Sequence, residues 1–301
     1  MSGVKTKAAA KKAAQKPKAN ARAKAETGTG TRVNGRVLVV AGSDSGGGAG
    51  IQADIKTITA LGGYATTAVT ALTAQNTEGV SGVIETPGGF IAKQMRLILR
   101  DIGADVIKIG MVPSEEAIES VHYTYMELAE STPIVLDPVM MAKGGHPLIN
   151  RDAVHLVRQH FLLRAFIATP NLPEAEILTG MEIRSLSDMK HAAELMITLG
   201  CQAVLLKGGH FPGETIYDIL YDENGMEVFE DSRIDTVHTH GTGCTLASAI
   251  AVSLAQKLTL RESVVRARAY VRNAILTAPG FGKGHGPLNH VHTIAPFHPE
   301  R

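Results

Sequence analysis

Short apolar runs separated by amphipathic stretches organise this chain. Val37-Leu38-Val39-Val40-Ala41 contains no polar position, the pattern of a strand covered on both faces. It runs into the glycine-rich loop Gly42 to Gly50. Ile51, Ile55, Ile58 and Leu61 then recur at helical spacing. Comparable apolar runs follow at 106–109, 134–136, 166–168 and 204–206, ending respectively in Gly110-Met111, Asp137-Pro138, Thr169-Pro170-Asn171 and Lys207-Gly208-Gly209. Helical patterns lie between them, over Ser114 to Ala129 and Ser187 to Leu199. Ser114 with Glu115 and Glu116 reads as a helix start. Glu223-Asn224-Gly225 between two strand-like runs predicts a hairpin. Two long helical patterns close the chain, near Cys244–Gln256 and Leu260–Thr277. Alternation of strand and helix predicts an α/β fold: a mostly parallel central sheet with helices on both faces, a three-layer sandwich. No linker interrupts it, so residues 36–301 are expected to form a single domain.

Composition changes the picture at one end. The first thirty residues hold eight of the 30 basic residues and one acid, and Val4 is their only large aliphatic residue. Such a stretch cannot bury a face, so residues 1–35 are expected to be a disordered basic tail. An organellar targeting segment, although an apolar face is missing, and lastly a nucleic-acid-binding arm are the other readings. The rest of the chain carries 22 bases against 28 acids, which argues against nucleic acid as a partner. No apolar run of the length needed to span a membrane exists, and a cytoplasmic protein is expected. Two cysteines, Cys201 and Cys244, form neither a disulfide framework nor a zinc spacing.

Chemistry is expected at the carboxyl edge of a parallel sheet. Asp44, Asp137, Asn171, Glu174 and Lys207 all follow strands there. Each has a local reading too: Asp44 as a turn residue, Glu174 as a first-turn helix acid. The loop 42–50 is not the common phosphate loop, because Lys and Ser/Thr do not follow its last glycine. It suits close approach of a ligand to backbone. His240-Gly241-Thr242-Gly243-Cys244 before an apolar helix predicts an anion site of main-chain N–H groups and helix dipole. Phosphoryl transfer also needs a cation and a metal. Lys207 supplies the first, and Asp137 with Glu174 could hold Mg²⁺ through water.

Eight segments in order carry a family resemblance: Ala41–Asp44, Gly48–Asp54, Thr70–Asn76, Lys108–Met111, Asp137–Met140, Thr169–Glu174, Lys207–His210 and His240–Cys244. Together they resemble the hydroxymethylpyrimidine/phosphomethylpyrimidine kinases of thiamine biosynthesis, within the ribokinase-like superfamily. The likeness spans roughly residues 36–292. It departs at Ser45-Gly46, where many bacterial relatives have Pro-Ser.

The resemblance implies a ribokinase-like fold and a homodimer. It implies ATP as phosphoryl donor, Mg²⁺, and an aminopyrimidine and its monophosphate as acceptors. Asp54 and Gln75 would hydrogen-bond the pyrimidine, lined by Gly42, Ala49 and Met111. Asn171, Glu174, Lys207 and Thr242 would face the nucleotide. Lys207, Cys244 and the backbone of Gly241 and Gly243 would carry the chemistry. Sugar kinases of the superfamily hold an Asp base where Cys244 stands. A thiol could replace it only with its pKa depressed, which a helix N-terminus favours. A phosphate acceptor needs no base. A pyridoxal-type kinase on the same fold is the nearest alternative, and a non-catalytic vitamin-binding protein a more distant one.

Overall fold

The computed structural model describes residues 33–141, 149 and 153–296, with Met1 and Gly3. Nearly all of the expected basic tail therefore lies outside the described residues. Asn34 already belongs to the body: its N–H donates to Gly62 O at 2.9 Å, and its carbonyl accepts from Gln256 Nε2 at 3.1 Å.

Nine strands form one sheet in the order β3-β2-β1-β4-β5-β6-β7-β8-β9. They are β1 (Arg36–Asp44), β2 (Tyr64–Gln75), β3 (Val80–Glu85), β4 (Val106–Ile109), β5 (Ile134–Leu136), β6 (Ala165–Ala168), β7 (Val204–Lys207), β8 (Thr215–Asp222) and β9 (Gly225–Ser232). The six strands from β2 through β7 in that order pair in parallel. β3, β8 and β9 are antiparallel additions at the two edges. Each expected apolar run is a strand, and Asn224-Gly225 does turn the β8–β9 hairpin.

Alternate strand residues feed two cores. Leu38, Val40, Ile107, Ile109, Ile134 and Leu136 pack on one face, under α2 (Gly88–Asp101), α3 (Glu115–Leu128), α5 (Leu172–Thr179) and α6 (Leu186–Thr198). Val37, Val39, Val106, Val135 and Ile167 pack on the other, under α1 (Gly50–Ala60), α7 (Thr242–Ala255) and α8 (Leu260–Leu276). A short helix, α4 (Val154–Leu156), precedes a π turn before β6. This is the three-layer arrangement expected of strands apolar on both sides.

β2 and β3 carry no run of three large aliphatics, and α2, which has one at Leu97-Ile98-Leu99, was not among the expected elements. β2 fills its inward positions with Thr66, Ala68, Thr70 and Ala71, and β3 is exposed or half-buried throughout. Ile55, taken as part of the apolar face of α1, is exposed. That helix buries Ala53, Asp54, Thr57 and Ile58 instead. Thr57 donates to Ala53 O within the helix at 2.7 Å, whereas Asp54 takes its partners from other elements.

Candidate active site

The chemistry-bearing residues gather at the carboxyl edge of the parallel strands in two groups. The first is built on Asp44 at the end of β1. Its Oδ1 accepts from Gly46 N at 2.7 Å, and its Oδ2 accepts from Gly48 N at 3.0 Å and Ala49 N at 2.8 Å. His240 Nε2 lies 2.9 Å from the same Oδ2. Burial works against the Asp44 charge, but the His240 hydrogen bond and the Ala49 and Gly46 N–H groups hold its carboxyl below the usual range. Asp44 is thus the turn former of the glycine loop, as its local reading has it. His240 is a partner the sequence reading passed over.

The glycines of this group are required by close approach. A Cβ on Gly48 would overlap His240 Cδ2, and one on Gly241, at φ 84°, would overlap the Gly48 carbonyl oxygen. The glycine loop and the start of α7 are therefore in direct backbone contact. Gly42 and Met111 also meet, since a Cβ at Gly42 would lie 3.1 Å from Met111 Sδ. Gln75 at the end of β2 closes the group, with its amide nitrogen position 3.3 Å from His240 Nε2. Gly42, Ala49, Gln75 and Met111 are thus brought to one region, as expected for a lining.

Asp54 is a correction. It is fully buried on α1, accepts from Ser248 Oγ at 2.6 Å, and pairs with Lys108 Nζ at 3.1 Å. With no surface of its own, it cannot reach a pyrimidine ring. Lys108, fully buried in β4, opposes burial through its pairing with Asp54, which holds the ammonium charged. The sequence did carry a signal: a lysine inside a buried strand demands a buried acid. The partner lay 54 positions away.

The second group is charged. Lys108 Nζ also lies 3.9 Å from Asp137 Oδ2, and Lys207 Nζ lies 3.5 Å from Asp137 Oδ1. Asp137 is 1% exposed, yet its Oδ2 has no hydrogen-bond partner among the described residues. Burial disfavours the Lys207 charge, but Asp137 and Glu174 outweigh it and raise its pKa. A methyl on Gly243 would stand 3.3 Å from Lys207 Nζ and 3.6 Å from Asp137 Oδ1. The ammonium and the carboxylate therefore face the head of α7. There Gly241 caps the helix without a side chain, and the first helical bond runs from Thr245 N–H to Gly241 O at 2.9 Å. The N–H groups of Gly243 and Cys244 precede that first bond, in the turn where helices leave donors free. Thr242 N–H folds back toward Thr239 O at 3.4 Å.

Asn171 and Glu174 form a capping box on α5. Asn171 Oδ1 accepts from Glu174 N at 2.9 Å, and Glu174 Oε2 accepts from Asn171 N at 2.8 Å. The helix-acid reading of Glu174 is realised, and Met140 N–H also donates to its carboxylate. Burial pushes its carboxyl up to about 7, with Lys207 opposing and Asp137 reinforcing. It sits in the field of the charged group while capping a helix.

Cys244 was open between a base and a member of the anion site. Helix position does not depress its pKa. Burial pushes the thiol up to about 12, aided by Asp137 and Asp54 and opposed by Lys108 and the Gly50 N–H. That direction favours the protonated thiol, and so a place in the anion site over a role as base.

Among the described residues no three His, Cys, Asp or Glu side chains form a metal cage. Mg²⁺ takes few protein oxygens and keeps its water. Asp137 fits that demand with two hard oxygens, Oδ1 beside Lys207 and Oδ2 without a hydrogen-bond partner among the described residues.

The phosphomethylpyrimidine kinase family profile matches residues 44–289. The chain is 49% identical over 257 residues to the thiamine biosynthesis bifunctional protein ThiED of Geobacter sulfurreducens, covering 85% of this chain and 52% of that protein. It therefore spans about half of that relative's length. It is 42% identical over 256 residues to the hydroxymethylpyrimidine/phosphomethylpyrimidine kinase of Bacillus subtilis, covering 85% of this chain and 94% of the other. The ADP complex of Bacillus subtilis pyridoxal kinase superposes with a TM-score of 0.80 at 35% identity, over 86% of this chain and 98% of the other. The chain belongs to the phosphomethylpyrimidine kinase family. Fold, family and enzyme class agree with the motifs that suggested them.

Proposed function

We propose that the protein transfers the terminal phosphoryl group of ATP to the hydroxymethyl oxygen of 4-amino-5-hydroxymethyl-2-methylpyrimidine, and then to the phosphate of that product. The approach of the Lys207 ammonium and the Asp137 carboxylate to Gly243 at the head of α7 carries this reading. A migrating phosphoryl group needs fixed positive charge and aimed donors, not covalent chemistry. Lys207 and the Gly243 and Cys244 N–H groups supply both.

Cys244 acts as a neutral wall of this anion site. It does not repel an acceptor that is already a phosphate, as a carboxylate would. For the alcohol acceptor, a loose transition state leaves the hydroxyl proton in place until late, so a base is not essential. Asp137, with Glu174 through water, would hold Mg²⁺, which when bound neutralises phosphate charge. Gly42, Ala49, Gln75 and Met111 line the acceptor. Asn171 and Thr242 border the nucleotide through backbone and cap. A homodimer working in the cytoplasm completes the proposal. Among the described residues no helix is long and apolar enough to cross a membrane.

An ATP-coupled assay with the pyrimidine and its monophosphate tests this reading. ADP release with both is the expected result. No ADP with either would overturn it. The likeness to a protein described as a pyridoxal kinase favours one second reading, kinase action on pyridoxal. A higher kcat/KM for pyridoxal than for the pyrimidine would decide for that reading.

A further inference from the structure

Gln75 sits between two groups whose hydrogens can be counted. On one side is His240 Nε2, 2.9 Å from Asp44 Oδ2 and 3.3 Å from the Gln75 amide. Asp44 already gathers three backbone N–H groups, so it is an acceptor toward His240 as well. Nε2 therefore carries its one hydrogen, aimed at Asp44 and shared with the more distant Gln75 amide as a three-centre bond. An amide NH₂ turned toward it would set donor against donor. On the other side is Thr73 Oγ1, 3.3 Å from the other end of the amide and 3.0 Å from Ser43 O. A hydroxyl has one hydrogen, and the Ser43 carbonyl can only accept it. Thr73 must then accept from Gln75. The two ends of a glutamine amide exchange places by a half-turn, and hydrogen-bond partners decide between them. Both partners give the same answer: Oε1 toward His240 and Nε2 toward Thr73.

Further contacts fix this arrangement. Ser45 Oγ donates to Gln75 O and accepts from Gln75 N, both at 2.8 Å, so the backbone of Gln75 is clamped to the glycine loop. A proline at 45 could make neither bond. The His240 ring lies where a Cβ on Gly48 would be.

We infer that His240, held by Asp44, is a positioning residue that sets the amide of Gln75 for a heteroaromatic ring bearing an amino group beside a ring nitrogen. After His240 and Thr73 are served, Gln75 retains one N–H and one lone pair. A ring nitrogen accepts from the first, and the neighbouring amino group donates to the second. Pyridoxal lacks that adjacent pair, so the set amide favours the pyrimidine over it. This assignment rests on the proposed acceptor, and it extends that proposal to specificity.

The test combines kinetics with a spectroscopic signature. His240→Phe keeps a ring against Gly48 but removes the N–H. It should raise KM for the pyrimidine about tenfold, a typical loss for one directed hydrogen bond. The kcat and KM for ATP should stay within about twofold of the parent, and the preference over pyridoxal should shrink. His240→Gln returns a donor at the Nε2 position and should restore much of the affinity. In the unsubstituted enzyme, ¹⁵N spectra of labelled histidine should show hydrogen on His240 Nε2. This readout stands even if His240→Phe fails to fold. An Nδ1–H tautomer with bare Nε2, or an unchanged pyrimidine KM in a folded His240→Phe, would overturn the assignment. A parent enzyme inactive toward the pyrimidine would instead overturn the proposed function and leave the tautomer measurable.

Discussion

Around Asp44, four donors converge on one carboxylate, and the neighbouring amide, hydroxyls and backbone satisfy one another. Around Asp137, Oδ1 lies 3.5 Å from the Lys207 ammonium, and Oδ2, 3.9 Å from that of Lys108, has no hydrogen-bond partner among the described residues. The first region is complete without a ligand, and it offers only directed, neutral groups to an incoming ring. The second is incomplete, with buried charge that a polyanion and its counter-ion would balance. A satisfied network fixes geometry and selects shape. An unsatisfied one stores affinity for whatever supplies the missing charge. One edge of the sheet thus holds a rigid reader beside a charged receiver.

The sharpest way to break this contrast is at the charged side. Lys207→Met should lower kcat by roughly 10²–10³ while leaving the KM for the pyrimidine close to the parent's. Steady-state kinetics with ATP varied would check it, and a large rise in pyrimidine KM would contradict the division. At the neutral side, Asp44→Asn exchanges an acceptor for a mixed group. It should raise pyrimidine KM by about tenfold and cost about 1–3 kcal/mol in a denaturant titration. Cys244→Ala belongs to neither extreme. With the thiol at about 12, alcohol and phosphate acceptors should slow equally, by less than about tenfold. Iodoacetamide should label Cys244 slowly at pH 8. Unequal slowing or rapid labelling would restore a thiolate base.

A control lies outside both regions. Burial lowers His122, helped by His160 and Arg164, and lowers His290, helped by Lys56 and His292, each to about 4. Both stay neutral in the fold, whereas the unfolded chain takes up protons near 6.5. Their stabilising effect is therefore full above about 6.5 and is lost as pH falls toward 4. Melting temperature should drop across that window, and His122→Phe should flatten the drop with pyrimidine KM unchanged.

Much of the fold was legible because strands buried on both faces advertise themselves as unbroken apolar runs. β1, β4, β5, β6 and β7 all did so. β2 did not, since alanine and threonine fill its inner positions and leave no contrast to read. The site was legible wherever a residue's role is local: the glycine loop, the capping box, the head of α7. It was illegible wherever a role depends on a distant partner. Asp54 looked available because Lys108 and Ser248 are 54 and 194 positions away. His240 entered only as the first residue of the anion-site motif, because its side-chain partner Asp44 is 196 positions away. The role of the Cys244 thiol stayed open because burial competes there with the helix terminus, and burial is a property of the folded whole.

Glu174 joins two stretches of main chain through one carboxyl group, receiving the amide of Asn171 and that of Met140. The side chain works as a knot between the exit of β5 and the entry of α5. Aspartate, one methylene shorter, would have to let go of one strand of that knot, and glutamine would bring no charge to the field of Lys207. Two demands of unrelated origin, a helix start and an acid beside the lysine, therefore fall on a single position. Few amino acids can meet both, so tolerance to exchange at 174 should be far narrower than either duty alone would impose.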